Sequence, residues 1–265
     1  MPTPAPASAP APGSLAGKVG LVLGIANECS IATGCTRAFA EAGATLVAIY
    51  LHENVRSFVE AATLPFPGIH LLPCDVREPG QLETTFDAVR THHGRLDFLL
   101  LAIAFSPRDD LHGRVTDCVT AGFAMAMEVS CHCFIRMARL AEPLMQTGGA
   151  PLAVPFYGSE RVVEHYNLMG PVKAALESSV RCIAAELGRK GIRARAISPG
   201  PIKTRAVSGI DRFDELVARA AAATPERKLV TVDDVGALAA FLVGDGARRI
   251  TGTVIPVDGG QHVPA

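Results

Sequence analysis

The chain has 265 residues, 49% of them hydrophobic, which is enough for one large α/β domain and short for two. Its net charge of −1, with cations dispersed along the chain, leaves no electrostatic footprint for nucleic acid or an anionic membrane. The longest strongly apolar run, Leu96 to Phe105, contains Asp97 and is too short to span a bilayer.

Residues 1–14, MPTPAPASAPAPGS, are rich in proline and alanine. They lack the basic start and apolar centre of a signal peptide and are expected as a disordered tail, with residues 15–265 forming a single domain. Lys18 to Gly24 (KVGLVLG) reads as a short buried strand, and Ser30 to Ala42 as a helix that Ser30 caps and Gly43 ends. The alternation continues with a strand at Thr45 to Leu51, a helix at Val55 to Ala62, and a strand at Ile69 to Pro73. A helix at Gln81 to His93 and a strand at Leu96 to Ile103 follow. Helices are expected around Ala121 to Met145, a strand near Pro151 to Phe156, a long helix from about Val162 to Gly188, and a strand at Arg193 to Ser198. After a polar stretch, Val232 to Val243 is helical and Thr253 to Val257 is the last strand. Strands that are apolar throughout and separated by helices predict a Rossmann-type, doubly wound parallel sheet buried on both faces. Seven cysteines without a CxxC pair fit a reducing cytosol better than a disulfide framework or a zinc site. No grouping of histidines and carboxylates has metal spacing; His112, His132 and His165 read as structural or surface residues. Asp109 and Asp110 read as solvated loop charges.

In such a sheet the ligand lies beyond the carboxyl ends of the strands. After the first strand comes GIANECSIATG, in which Gly24 makes a tight turn and Ser30 opens a helix whose first amides suit a pyrophosphate. After the third strand, Asp75 puts a carboxylate where an adenine amino group is readable, although an aspartate there also serves as an ordinary turn or cap. The stretch EHYNLMGPVK sets Tyr166 and Lys173 seven residues apart. On one helix the two lie almost two turns apart on the same face. A nearby ammonium draws a phenol pKa down and fits it for proton or oxyanion chemistry. The alternative is a half-buried helix tyrosine beside a solvated cation.

These motifs, with PCDVREPGQLE, IAFSPRDDLHGR, HYNLMGPVKAALESSVR, ISPGPIKTRAVSGI and ITGTVIPVDGG, make the chain resemble the divergent NADH-dependent enoyl-acyl-carrier-protein reductases of the short-chain dehydrogenase/reductase superfamily. The resemblance runs from about Gly17 to His262, and the Y-x6-K spacing is its most specific part. It implies hydride delivery from NADH to the β-carbon of a trans-2-enoyl thioester carried on acyl carrier protein, in the cytoplasm, by a homotetramer. It also implies Tyr166 and Lys173 as the catalytic pair, with Lys173 also on the nicotinamide ribose. Gly24, Ser30 and Ile31 line the pyrophosphate, and Asp75 with Val76 holds the adenine. Ile103, Ile202 and Thr204 border the nicotinamide end, and Ala104, Phe156 and Tyr166 face the substrate. The polar region from Lys203 to Pro225 corresponds to a mobile substrate-binding segment.

Two departures bear on activity. Phe156 stands where the family normally has a tyrosine ten residues before the catalytic one, with Pro155 beside it, and Ala102 stands where serine is usual. Each removes a hydrogen-bonding group, a loss of about 1 kcal/mol per bond. A short-chain oxidoreductase for another carbonyl or enoyl substrate, and a catalytically weakened nucleotide-binding homologue, are therefore the alternative readings. NADH is expected over NADPH because Tyr50 to Glu53 offer no cation for a 2′-phosphate and Arg56 already belongs to the next helix. The helices at Ala121 to Met145 and Val162 to Gly188 carry more small and apolar residues than one sheet face covers, which predicts subunit contacts. Arg205, Arg212 and Arg227 read as scattered surface cations near the portal.

Overall fold

The computed structural model describes residues 13–202 and 213–263. Most of the expected tail, residues 1–12, and Lys203 to Arg212 lie outside the described residues, and so do Thr204 and Arg205. Gly13 and Ser14 are exposed in a turn that leads to the fully buried Leu15.

Seven strands form one parallel sheet: β1 (Val19–Leu23), β2 (Thr45–Tyr50), β3 (His70–Pro73), β4 (Phe98–Leu101), β5 (Ala150–Ala153), β6 (Arg195–Pro199) and β7 (Val254–Val257). They lie in the order β3-β2-β1-β4-β5-β6-β7, so the order reverses between β1 and β4, where a doubly wound sheet opens its crevice. Strands β1, β4, β5 and β6 are buried along their whole length. That is why β1, β4 and β5 read as unbroken apolar runs instead of alternating ones. Successive residues still serve opposite faces: Leu21 and Leu23 pack with Phe86, Phe134 and Val180, while Val22 packs with Phe39, Leu46 and Val235.

One helical layer contains α1 (Ile31–Glu41) and α9 (Val232–Val243), packed on each other. The opposite layer contains α3 (Gln81–His93), α6 (Cys133–Ala141) and α7 (Met169–Leu187). Helices α2 (Arg56–Thr63), α4 (Arg108–His112), α5 (Thr120–Met127) and α8 (Phe213–Ala223) are the other α-helices among the described residues; α8 falls inside the stretch expected as polar connection. A π-helical turn, Glu128–His132, joins α5 to α6.

Two expected elements end differently. The strand at Pro151 to Phe156 stops at Ala153, just before Pro155, whose ring nitrogen has no hydrogen to give the ladder. The helix expected from Val162 begins only at Met169. Upstream, His165 and Asn167 take φ values of 62° and 25°, outside the right-handed helical region, so the helical ladder does not extend back through them.

Candidate active site

The crevice is built first by β1. Gly24 has φ of 121°, and a Cβ there would lie 2.5 Å from the backbone oxygen of Ala102, so only glycine lets the β1 exit press against the β4 exit. Ser30 is buried and caps α1: its Oγ accepts from the Thr33 amide at 3.4 Å and bonds the Thr33 hydroxyl at 2.7 Å. Both hydroxyls lie within reach of the Asn27 carbonyl, at 2.9 and 2.6 Å, and their two protons serve that carbonyl and the contact between them. The amides of Ile31 and Ala32, at the first turn, have no acceptor one turn back, so the corner presents backbone donors at a helix N-terminus.

At the β3 exit Asp75 is tied to Arg77, whose Nη2 and Nε lie 2.6 and 3.0 Å from its carboxylate. The Arg77 guanidinium beside it holds the Asp75 carboxyl below its ordinary pKa. The same guanidinium stands 5.8 Å over the ring of Phe105. Val76 is buried, and its carbonyl accepts from Arg136 at 2.9 Å. After β4, Ile103 is half-buried and Ala104 exposed. The backbone there is braced by Ser130 of the π-helical turn, which accepts from the Phe105 amide at 2.9 Å and donates to its carbonyl at 3.1 Å. Ile202, after β6, is 9% exposed.

Tyr166 and Lys173 both pack on the residues that leave β5, Lys173 on Val154 and Tyr166 on Phe156 and Gly158, though not from one helix. Tyr166 lies in the turn before α7 and Lys173 in the second turn of α7. Both are buried, at 8% and 3% exposure. The Tyr166 turn is pinned by Asn167, whose side-chain amide donates to the carbonyls of Leu111 at 3.0 Å and Gly113 at 2.5 Å. Its ring rests against Gly158, where a Cβ would lie 2.6 Å from Cδ1. Phe156 packs edge-on to it, with ring centroids 4.8 Å apart. Tyr157 packs on Phe156 at 6.3 Å and opens the short 3-10 turn Tyr157–Ser159. Pro171 falls at the third residue of α7, where a missing N–H costs nothing because no intrahelical acceptor exists for it. That proline is the sequence signal that marks the helix start; Asn167, Gly158 and Ser130 carry no comparable signal.

The electrostatics correct one expectation. Burial pushes the Tyr166 phenol above its ordinary pKa, and no neighbouring cation draws it down. The Lys173 ammonium is aimed elsewhere, at the Val154 carbonyl 2.9 Å from Nζ. Burial lowers the Lys173 pKa to about 8, since the charged form loses hydration. A neutral phenol donates a hydrogen bond over the whole physiological pH range. The ammonium, with three protons and one carbonyl partner, keeps donors for a ligand.

Other readings resolve plainly. Asp109 is exposed, whereas Asp110, expected as a solvated charge, is 7% exposed and accepts from the Val119 amide at 2.9 Å. Arg56 pairs with Glu60 at 2.8 Å and Glu53 at 3.4 Å. Arg227 is exposed and donates to the Ala222 carbonyl. Among the described residues there is no grouping fit to hold a metal ion, and no helix is long and apolar enough to cross a membrane. A cavity of about 400 Å³ opens beside Tyr166, lined in part by Val115, Gly158, Val163, Asn167 and Pro171.

Comparisons with known proteins point to one family. A family model described as enoyl-(acyl carrier protein) reductase matches residues 24–262. The NADH enoyl-acyl-carrier-protein reductase of Nostoc sp. (strain PCC 7120) is 41% identical over 253 residues, 94% of this chain and 98% of that protein. Its Escherichia coli (strain K12) counterpart is 38% identical over 254 residues, 96% and 97% of the two chains. The crystal structure of the Anaplasma phagocytophilum enoyl-acyl-carrier-protein reductase in complex with NAD superposes with a TM-score of 0.92 at 38% identity, covering 97% of this chain and 98% of that one.

Proposed function

The chain belongs to the enoyl-acyl-carrier-protein reductase family, and we propose how its residues carry out the family reaction. It reduces the trans-2 double bond of enoyl thioesters borne on acyl carrier protein, with NADH as cofactor, in fatty acid biosynthesis. The observation that carries the assignment of residues is the convergence of a neutral, buried phenol and a partly bonded, buried ammonium at the β5 exit.

The cofactor fits the crevice: Gly24 leaves a cradle that a Cβ would fill, and the α1 corner offers backbone donors behind the Ser30 cap. Gly24, Ser30 and Ile31 would hold the pyrophosphate, and Asp75 with Val76 would hold the adenine. Ile103 and Ile202 would border the nicotinamide end. NADH, when bound, supplies the hydride. Lys173 would offer its remaining protons to the nicotinamide ribose. Tyr166 donates to the thioester carbonyl and stabilises the negative charge that develops on that oxygen once the β-carbon has accepted hydride. Ala104 and Phe156 would flank the acyl chain. Arg56, engaged by two glutamates, is occupied away from any 2′-phosphate.

The working form is a cytoplasmic homotetramer, supported by Phe123 and Ile135, which α5 and α6 leave exposed; light scattering showing a monomer at micromolar concentration would contradict it. A catalytically weakened member is a second reading, favoured by the apolar Phe156 ring against Tyr166. The test is steady-state reduction of crotonyl and longer enoyl thioesters with an NADH titration. Tyr166→Phe is expected to lower turnover about 100-fold or more with NADH affinity nearly unchanged. Full activity of that variant on every thioester the parent reduces would overturn the assignment.

A further inference from the structure

Beneath the site lies a buried carboxylate to which the mechanism above gives no task. Glu177 is on α7 one turn beyond Lys173 and is 5% exposed. At (i, i+4) the two side chains share one face of the helix. Lys173 reaches the Val154 carbonyl at the end of β5, and Glu177 accepts a hydrogen bond from the Ser159 hydroxyl five residues further on. The segment between those anchors, 154–159, contains Phe156 and Gly158, the two residues on which the Tyr166 ring rests. The β5 exit is thus gripped at both ends by oppositely charged side chains of a single helix.

We propose that Glu177 is a positioning residue of the reduction, which fixes the Tyr166 platform through Ser159 and holds the charge of Lys173. This rests on the roles given to Tyr166 and Lys173. The groups facing Lys173 are Glu177 on its own helix and the thiols of Cys131 and Cys133 from the segment entering α6. Burial raises the pKa of both thiols and so favours their neutral form, which leaves Glu177 as the carboxylate among the groups facing the ammonium. The groups facing Glu177 are Ser159 and Glu160 from the turn, and Lys173 and Arg181 on α7. Burial raises the Glu177 pKa, and the Ser159 bond opposes that by favouring the ionised form. Lys173, with its pKa lowered to about 8, loses its charge as pH rises through that value, so NADH binding weakens on the alkaline side. Glu177 keeps that limb from falling lower.

Two variants separate the two tasks. Glu177→Gln preserves the acceptor for Ser159 and removes the charge, so the alkaline limb of NADH binding is expected to move to lower pH by about half a unit to one unit. Ser159→Ala keeps the carboxylate and removes the bond, so kcat is expected to fall about three- to tenfold with the KM for NADH unchanged, and Ser159→Thr to recover it. The measurement is kcat and KM for NADH with crotonyl thioester from about pH 6 to about pH 10, with thermal unfolding recorded for each variant. A Glu177→Gln limb that coincides with the parent's, or a Ser159→Ala variant with the parent's kcat, overturns the inference. Tyr166→Phe run beside them tells this apart from a failure of the underlying reading, in which that variant also keeps full turnover.

Discussion

Two buried cations mark opposite ends of the sheet, and their partners differ. Arg195 begins β6 at the amino end, is fully buried, and directs Nε, Nη1 and Nη2 at the carbonyls of Ile250, Leu242 and Ala247. Lys173 lies at the carboxyl end with one carbonyl partner. Burial lowers both pKa values, to about 10 for Arg195 and about 8 for Lys173. The guanidinium clamps the connection between α9 and β7 and is engaged along its whole fork. The ammonium remains short of partners. A buried charge satisfied by its own fold serves stability, and one left partly unsatisfied serves a ligand.

The comparison breaks most visibly at its structural end. Arg195→Ala strips partners from three backbone carbonyls and leaves a cavity, and should cost about 3–5 kcal/mol in chemical denaturation; activity per folded molecule should be near the parent's. Lys173→Met should do the reverse. Stability should change by no more than about 1–2 kcal/mol, because relief from burying an ammonium is offset by leaving the Glu177 carboxylate without its neighbouring charge. NADH affinity by fluorescence titration and turnover should both fall, the latter by about 100-fold. If Lys173→Met unfolds as readily as Arg195→Ala, the two cations have the same task and the distinction fails.

Smaller changes sharpen the working end. Gly158→Ala sets a methyl 2.6 Å from the Tyr166 ring, so Tyr166 must move; a loss of about 1–3 kcal/mol is expected, in thermal unfolding and in kcat together. Phe156→Tyr returns a hydroxyl to the edge of the Tyr166 ring and should raise kcat with enoyl thioesters severalfold or leave it level. A fall would show that the apolar ring is required by this chain's own substrate.

Much of the fold was legible because its signals are local. Unbroken apolar strands such as FLLL of β4, bounded by helical spacing, announce a parallel sheet covered on both faces. Ser30 before a helical run announces a cap, and that cap is present. The crevice followed from the alternation itself, since ligands gather beyond strand ends where the order reverses. The seven-residue spacing of Tyr166 and Lys173 was equally plain, whereas the helical geometry inferred from it was not.

Three features of the site belong to the tertiary structure alone. The start of α7 is set by backbone at φ of 62° and 25° and by Asn167 bonding carbonyls 54 and 56 residues earlier in the chain, a contact that no local pattern encodes. The early end of β5 left Phe156 beyond the strand and edge-on against Tyr166, a ring contact whose geometry the strand pattern does not specify. The protonation of the pair was decided by burial, which keeps the phenol neutral and weakens the hold of the lysine on its proton. The order of residues determined which groups reach the strand ends; the packing around them determined their charge and their aim, because desolvation depends on atoms brought in from every part of the chain.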